Sequence, residues 1–156
     1  MKDPATPQMR DLAARLVAHE AATGSPAEGH IPAEFRVCDK LRQPLTTLAG
    51  AAGFRSLLSR ALVIAQRKAP GLSVVRVNPD GSLEDLGAVR SQPIGDSEVS
   101  GAQDGYRQSA ERELLVAELL GLLFIFIGEA ITLRLARDVW PNASVHRTEY
   151  GRNEQA

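Results

Sequence analysis

The chain has 156 residues, with 18 Lys and Arg against 19 Asp and Glu, a formal charge of −1. That length suits one domain able to bury a core without covalent staples, and the balanced charge excludes a chain that is polybasic or acidic throughout. A single cysteine, Cys38, excludes an intramolecular disulfide framework and a multi-cysteine metal site, and fits a reducing, cytoplasmic setting.

Residues Met9, Leu12, Ala13, Leu16 and Val17 repeat at helical spacing, with Thr6-Pro7 placed to start a helix and Gly24 to stop it. Pro32 opens a second helix containing Phe35, Cys38 and Leu41, and Pro44 is expected to end or kink it. Phe54, Leu57, Leu58, Ala61, Leu62 and Ala65 mark further helix, weakened at its start by Gly50 and Gly53 and stopped at Ala69-Pro70-Gly71. Two helices, or one that bends, satisfy that segment.

Leu72 to Val77 alternates and is rich in valine, and Asn78-Pro79-Asp80-Gly81 carries turn chemistry, so Ser82 to Leu86 is expected to return as a second strand. Residues 90–109 are rich in Gly, Ser, Gln and Asp and read as a flexible loop. From Ala110 to Trp140 the longest helical pattern runs up to Pro141. The expected fold is therefore mainly α: a compact bundle of four to five helices around a hydrophobic C-terminal helix, with one small β-hairpin at about 72–86. One domain is expected over residues 1–141, followed by a polar, disordered tail at 142–156.

The most apolar run, Leu119 to Gly128, is ten residues long between Glu118 and Glu129. A spanning helix needs roughly 20 apolar residues, so a core helix is expected, with no membrane span. Leu114 to Leu133 presents apolar side chains in every direction, the mark of a helix surrounded by protein. Ala117, Gly121, Phe124 and Gly128 are the candidate packing or interaction residues, the two glycines allowing a second helix to come close. Glu129, flanked by apolar neighbours, needs a partner if buried, and Arg55 and Arg60 are the candidates for that ion pair.

Charge is segregated. Between Arg36 and Arg76 eight cations face Asp39 alone, a net +7, whereas Val77 to Leu120 carries a net −6. These blocks can neutralise one another within the fold, or the basic block can meet an anion or nucleic acid through Arg36, Lys40, Arg42, Arg67 and Lys68. The three histidines are scattered without metal-ligand spacing, and no nucleophile elbow or phosphate-cradling loop is present. No catalytic residue, metal or cofactor is assigned. Cys38, on an apolar helical face, reads as a small buried hydrophobe.

These features favour a non-enzymatic protein–protein interaction module or small accessory subunit, its partner another protein or a second copy of itself. A nucleic-acid-associated factor using residues 36–76 is a weaker reading. A small enzyme or ligand-binding protein with a site near Glu129 and Arg55 is another.

Overall fold

The computed structural model describes residues 5–23, 31–85 and 98–143. The architecture is mainly α with one small hairpin, as the periodicity predicts. Helix α1 spans Pro7–Thr23, α2 spans Ala33–Lys68, α3 spans Glu98–Ile127 and α4 spans Glu129–Val139. Between α2 and α3 lie a 3-10 turn at Pro70–Val74 and two strands, β1 at Val75–Val77 and β2 at Leu83–Asp85.

Thr6 opens α1: its Oγ1 accepts from the Met9 amide at 3.4 Å. The buried stripe of α1 is the predicted one, Met9, Leu12, Ala13, Leu16 and Val17, and it continues to Glu20. The expected stop at Gly24 lies outside the described residues.

Pro44 does not end α2; it sits inside the helix. A mid-helix proline removes one hydrogen bond and crowds the preceding turn, but Leu41 and Leu45 on either side of it are both buried. Core packing holds the two turns in line. The break falls instead at Gly50, with φ 83° and ψ 162°, a region essentially reserved for glycine.

Gly50 reverses the chain. At one end of α2, Glu34 pairs with Arg112, and at the other Lys68 pairs with Glu118. A straight helix of this length would place its ends roughly 50 Å apart, whereas Arg112 and Glu118 are only about 9 Å apart along α3. The two arms of α2, residues 33–49 and 51–68, must therefore fold back on each other. Gly128, with φ 91° and ψ 161°, does the same between α3 and α4. Beyond it Trp140 returns to Glu20, at the end of the bundle where Glu34 meets Arg112.

A single helix from Ala110 to Trp140 is thus corrected to two antiparallel arms. The expected loop at 90–109 is also corrected, because α3 is already helical from Glu98; residues 86–97 lie outside the described set.

Leu115 to Leu123 of α3 is buried all round and forms the core with α1, α2 and α4. The small hairpin pairs Val75 with Asp85, Arg76 with Glu84 and Val77 with Leu83. Leu72 to Val74 belongs to the 3-10 turn rather than to the strand. At the hairpin turn the Gly81 amide donates to the Asn78 carbonyl at 2.9 Å. Gly81 takes φ 87°, and a Cβ there would stand 3.2 Å from the Phe54 ring, so both conformation and space call for glycine.

Candidate interaction surface

Three buried carboxylates clamp the bundle, and each meets groups from another helix. Glu20 of α1 accepts from Arg36 Nε at 3.3 Å, is paired with Lys40, and accepts from Trp140 Nε1 at 2.8 Å. Burial pushes the Glu20 carboxyl up, but the hydrogen bonds from Lys40, Trp140 and Arg36 together hold it below its ordinary value. Glu34 of α2 accepts from Ser109 Oγ at 2.6 Å and from Arg112 Nε at 3.1 Å. The Arg112 guanidinium also lies 6.0 Å from the centroid of the Phe35 ring. Glu118 of α3 pairs with Lys68 Nζ at 2.5 Å.

These contacts divide the basic block. Arg36, Lys40 and Lys68 are held by buried carboxylates, while Arg42 meets Asp39 at 3.0 Å and Asp80 at 3.9 Å. Much of the charge segregation is therefore neutralised inside the fold. Of the five basic residues singled out for an anion, Arg67 alone is in no ion pair among the described residues.

Among the described residues no salt bridge joins Glu129 to Arg55 or Arg60; its Oε2 accepts from Gln8 Nε2 of α1 at 3.4 Å. Arg55 and Arg60 are exposed on the second arm of α2. The buried carboxylate on α3 is Glu118, and its partner is Lys68.

The packing residues also separate. Ala117 and Gly121 are buried in the monomer, and Phe124 is partly buried against the core. Gly128 is not a close-approach glycine: a Cβ built there meets nothing within 4 Å, and its role is the chain reversal.

What leaves the core is the end of the bundle where the two reversals lie. Exposure reaches 68% at Ile125, 57% at Phe126, 56% at Leu48 and 47% at Ile131, while Val63 at 48% and Ile31 at 38% are exposed elsewhere. Between the two reversals Ala49, Gly53, Ser56, Leu57, Arg60, Phe126 and Ile127 line a groove of about 420 Å³. The surface is apolar and its rim is basic. Scattered apolar side chains need no explanation; here Leu48, Ile125 and Phe126, each more than half exposed, all lie within three residues of a reversal.

Two hydroxyls near the reversals bond to carbonyls four residues earlier. Thr47 Oγ1 donates to the Gln43 carbonyl at 3.2 Å, and Thr132 Oγ1 donates to the Gly128 carbonyl at 2.8 Å.

Further concavities lie elsewhere on the bundle. One of about 370 Å³ is lined by Arg10, Lys68, Ala110, Glu113, Leu114 and Ala117; burial, then the charge of Glu34, raises the Glu113 carboxyl. Among the described residues no group of three His, Cys, Asp or Glu is placed to hold a metal ion. Cys38 is buried, and burial, with Asp39 and Glu34 nearby, pushes its thiol up to about 12.

By length and composition Ala33–Lys68 is apolar enough to cross a membrane. The reversal at Gly50 splits it into two arms, 33–49 and 51–68, each at the short end of the roughly 17–25 residues of a span.

No protein-family model matches the chain, and neither curated proteins nor solved structures give a match.

Proposed function

We propose that the protein is a non-enzymatic interaction module, a small accessory or adaptor subunit that works by contact. The supporting observation is the apolar surface at the two glycine reversals, where Leu48, Ile125, Phe126 and Ile131 stand in solvent beside a fully packed core. Exposed apolar area of this kind costs free energy unless a partner covers it. The buried carboxylates are engaged by cations and hydrogen-bond donors from neighbouring helices, an arrangement that suits structural clamps rather than a poised acid–base pair.

The test compares the wild-type chain with an Ile125→Ser/Phe126→Ser variant. Both are expressed in the native host and followed by cell fractionation and by size-exclusion chromatography with light scattering. The wild-type chain should run in a larger or particulate species and the variant as a free monomer. Identical monomeric behaviour of both overturns the reading.

A further inference from the structure

Resting on that reading, the geometry points to an anionic lipid bilayer surface as the partner that the apolar end of the bundle meets. Three independent features converge on a lipid occupant. The first is shape: two chain reversals lie side by side and present Leu48, Ile125, Phe126 and Ile131 outward, which gives a compact wedge able to enter the boundary between headgroups and acyl chains without crossing it.

The second is charge. No acid occurs between Asp39 and Asp80, so both flanks of the Gly50 reversal are free of negative charge. Arg60 lines the groove beside Phe126, and Arg55 stands in the adjoining concavity with Ala52 and Ser56. Among the described residues neither arginine joins an ion pair. Glu129, the nearby acid on α4, is turned toward Gln8 of α1. An apolar wedge with a basic rim matches the layering of an anionic membrane, where headgroup phosphates lie just outside the hydrocarbon.

The third is polar satisfaction. Entering a medium without water is costly for free hydroxyls and carbonyls. At the Gly128 reversal the glycine amide donates to the Phe124 carbonyl at 3.0 Å, and the Gly128 carbonyl accepts from both the Thr132 amide and its hydroxyl. Thr47 likewise donates to the Gln43 carbonyl.

Co-sedimentation with vesicles tests the inference, using pure phosphatidylcholine and an equal mixture of phosphatidylcholine and phosphatidylglycerol. The wild-type chain should bind the mixed vesicles, bind the neutral ones more weakly, and release as salt rises. Ile125→Ser/Phe126→Ser should weaken binding by about tenfold or more. Arg55→Ala and Arg60→Ala should each weaken it by about fivefold, and only on the anionic vesicles. Trp140, at the opposite end of the bundle, reports by its fluorescence that each variant is folded.

No binding to either vesicle, or binding that the Ile125/Phe126 variant leaves unchanged, overturns the inference. Tip-dependent association with a second copy or a protein in place of vesicles also overturns it, while leaving the contact-module reading standing. That reading fails separately if the tip variant changes no association of any kind.

Discussion

Trp140 Nε1 donates to Glu20 Oε2 at 2.8 Å, joining two residues 120 positions apart. An indole N–H can only donate, so it needs an acceptor once its ring is buried. Glu20 in turn accepts from Arg36 and pairs with Lys40, and Arg36 also donates to the Ile31 carbonyl at 2.5 Å. This network docks the end of α4 onto α1 and the start of α2.

Removing the Glu20 carboxylate should therefore leave a buried indole N–H without its acceptor and take the counter-charge from Arg36, which keeps its bonds to the Ile31 and Glu20 carbonyls. Glu20→Ala is expected to cost about 3–5 kcal/mol, and Glu20→Gln, which retains an acceptor, about 1–2 kcal/mol. Denaturant unfolding followed by Trp140 emission checks both. Equal losses for the two variants would mean that a neutral acceptor contributes nothing and that the whole effect lies in the charge.

The same carboxylate governs acid stability. Its folded pKa lies below the ordinary glutamate value, so the stabilisation is fully present above that ordinary value. It is lost as pH falls from there through the folded pKa, since the unfolded chain takes up the proton first. Glu113 acts oppositely: burial, then the charge of Glu34, raises its pKa above 4.5, so its contribution is present below that value and disappears as pH rises through the folded pKa. Acid titrations of stability should be less steep for Glu20→Gln, and Glu113→Gln should gain stability relative to wild type at neutral pH.

Gly50 and Gly128 should resist substitution for a purely backbone reason. Nothing lies within 4 Å of a Cβ at either position, yet φ is 83° and 91°. Gly50→Ala and Gly128→Ala are each expected to cost about 1–3 kcal/mol. Thermal melts measure this, and wild-type stability in either variant would mean that an alanine can make the reversal.

Lys68→Met removes the cation beside fully buried Glu118 and should destabilise by about 3–5 kcal/mol. A Lys68→Met/Glu118→Leu double variant should recover most of the loss, because an apolar pair does not leave a charge uncompensated. A double-mutant cycle in urea separates the coupling from the single losses.

Cys38 should be inert in the folded state. Its thiol is buried and raised to about 12, so the thiolate fraction at neutral pH is negligible. Labelling with a thiol reagent should proceed only as the chain unfolds, at the unfolding rate rather than the reagent's intrinsic rate.

Parts of the clamp network were legible as acids on apolar stripes. Glu20 falls four residues beyond Leu16 on the α1 stripe, and Glu34 precedes Cys38, Leu41 and Leu45 on the inner face of α2. A carboxylate in such a position implies a partner, but not which one. The Gly128 reversal also left a trace, since Glu129 directly after a glycine resembles the acidic first turn of a new helix.

Local pattern by itself determined the helical class, the α1 stripe, the Asn78–Gly81 turn and the buried stretch of α3, because periodicity and turn preference depend only on near neighbours. Only the tertiary structure decided that Pro44 is tolerated while Gly50 and Gly128 reverse the chain. It alone matched Lys68 with Glu118, Arg36 with Glu20 and Arg112 with Glu34. Those outcomes depend on which helix faces which, and a side chain's partner is chosen by distance in space, on which spacing along the chain is silent.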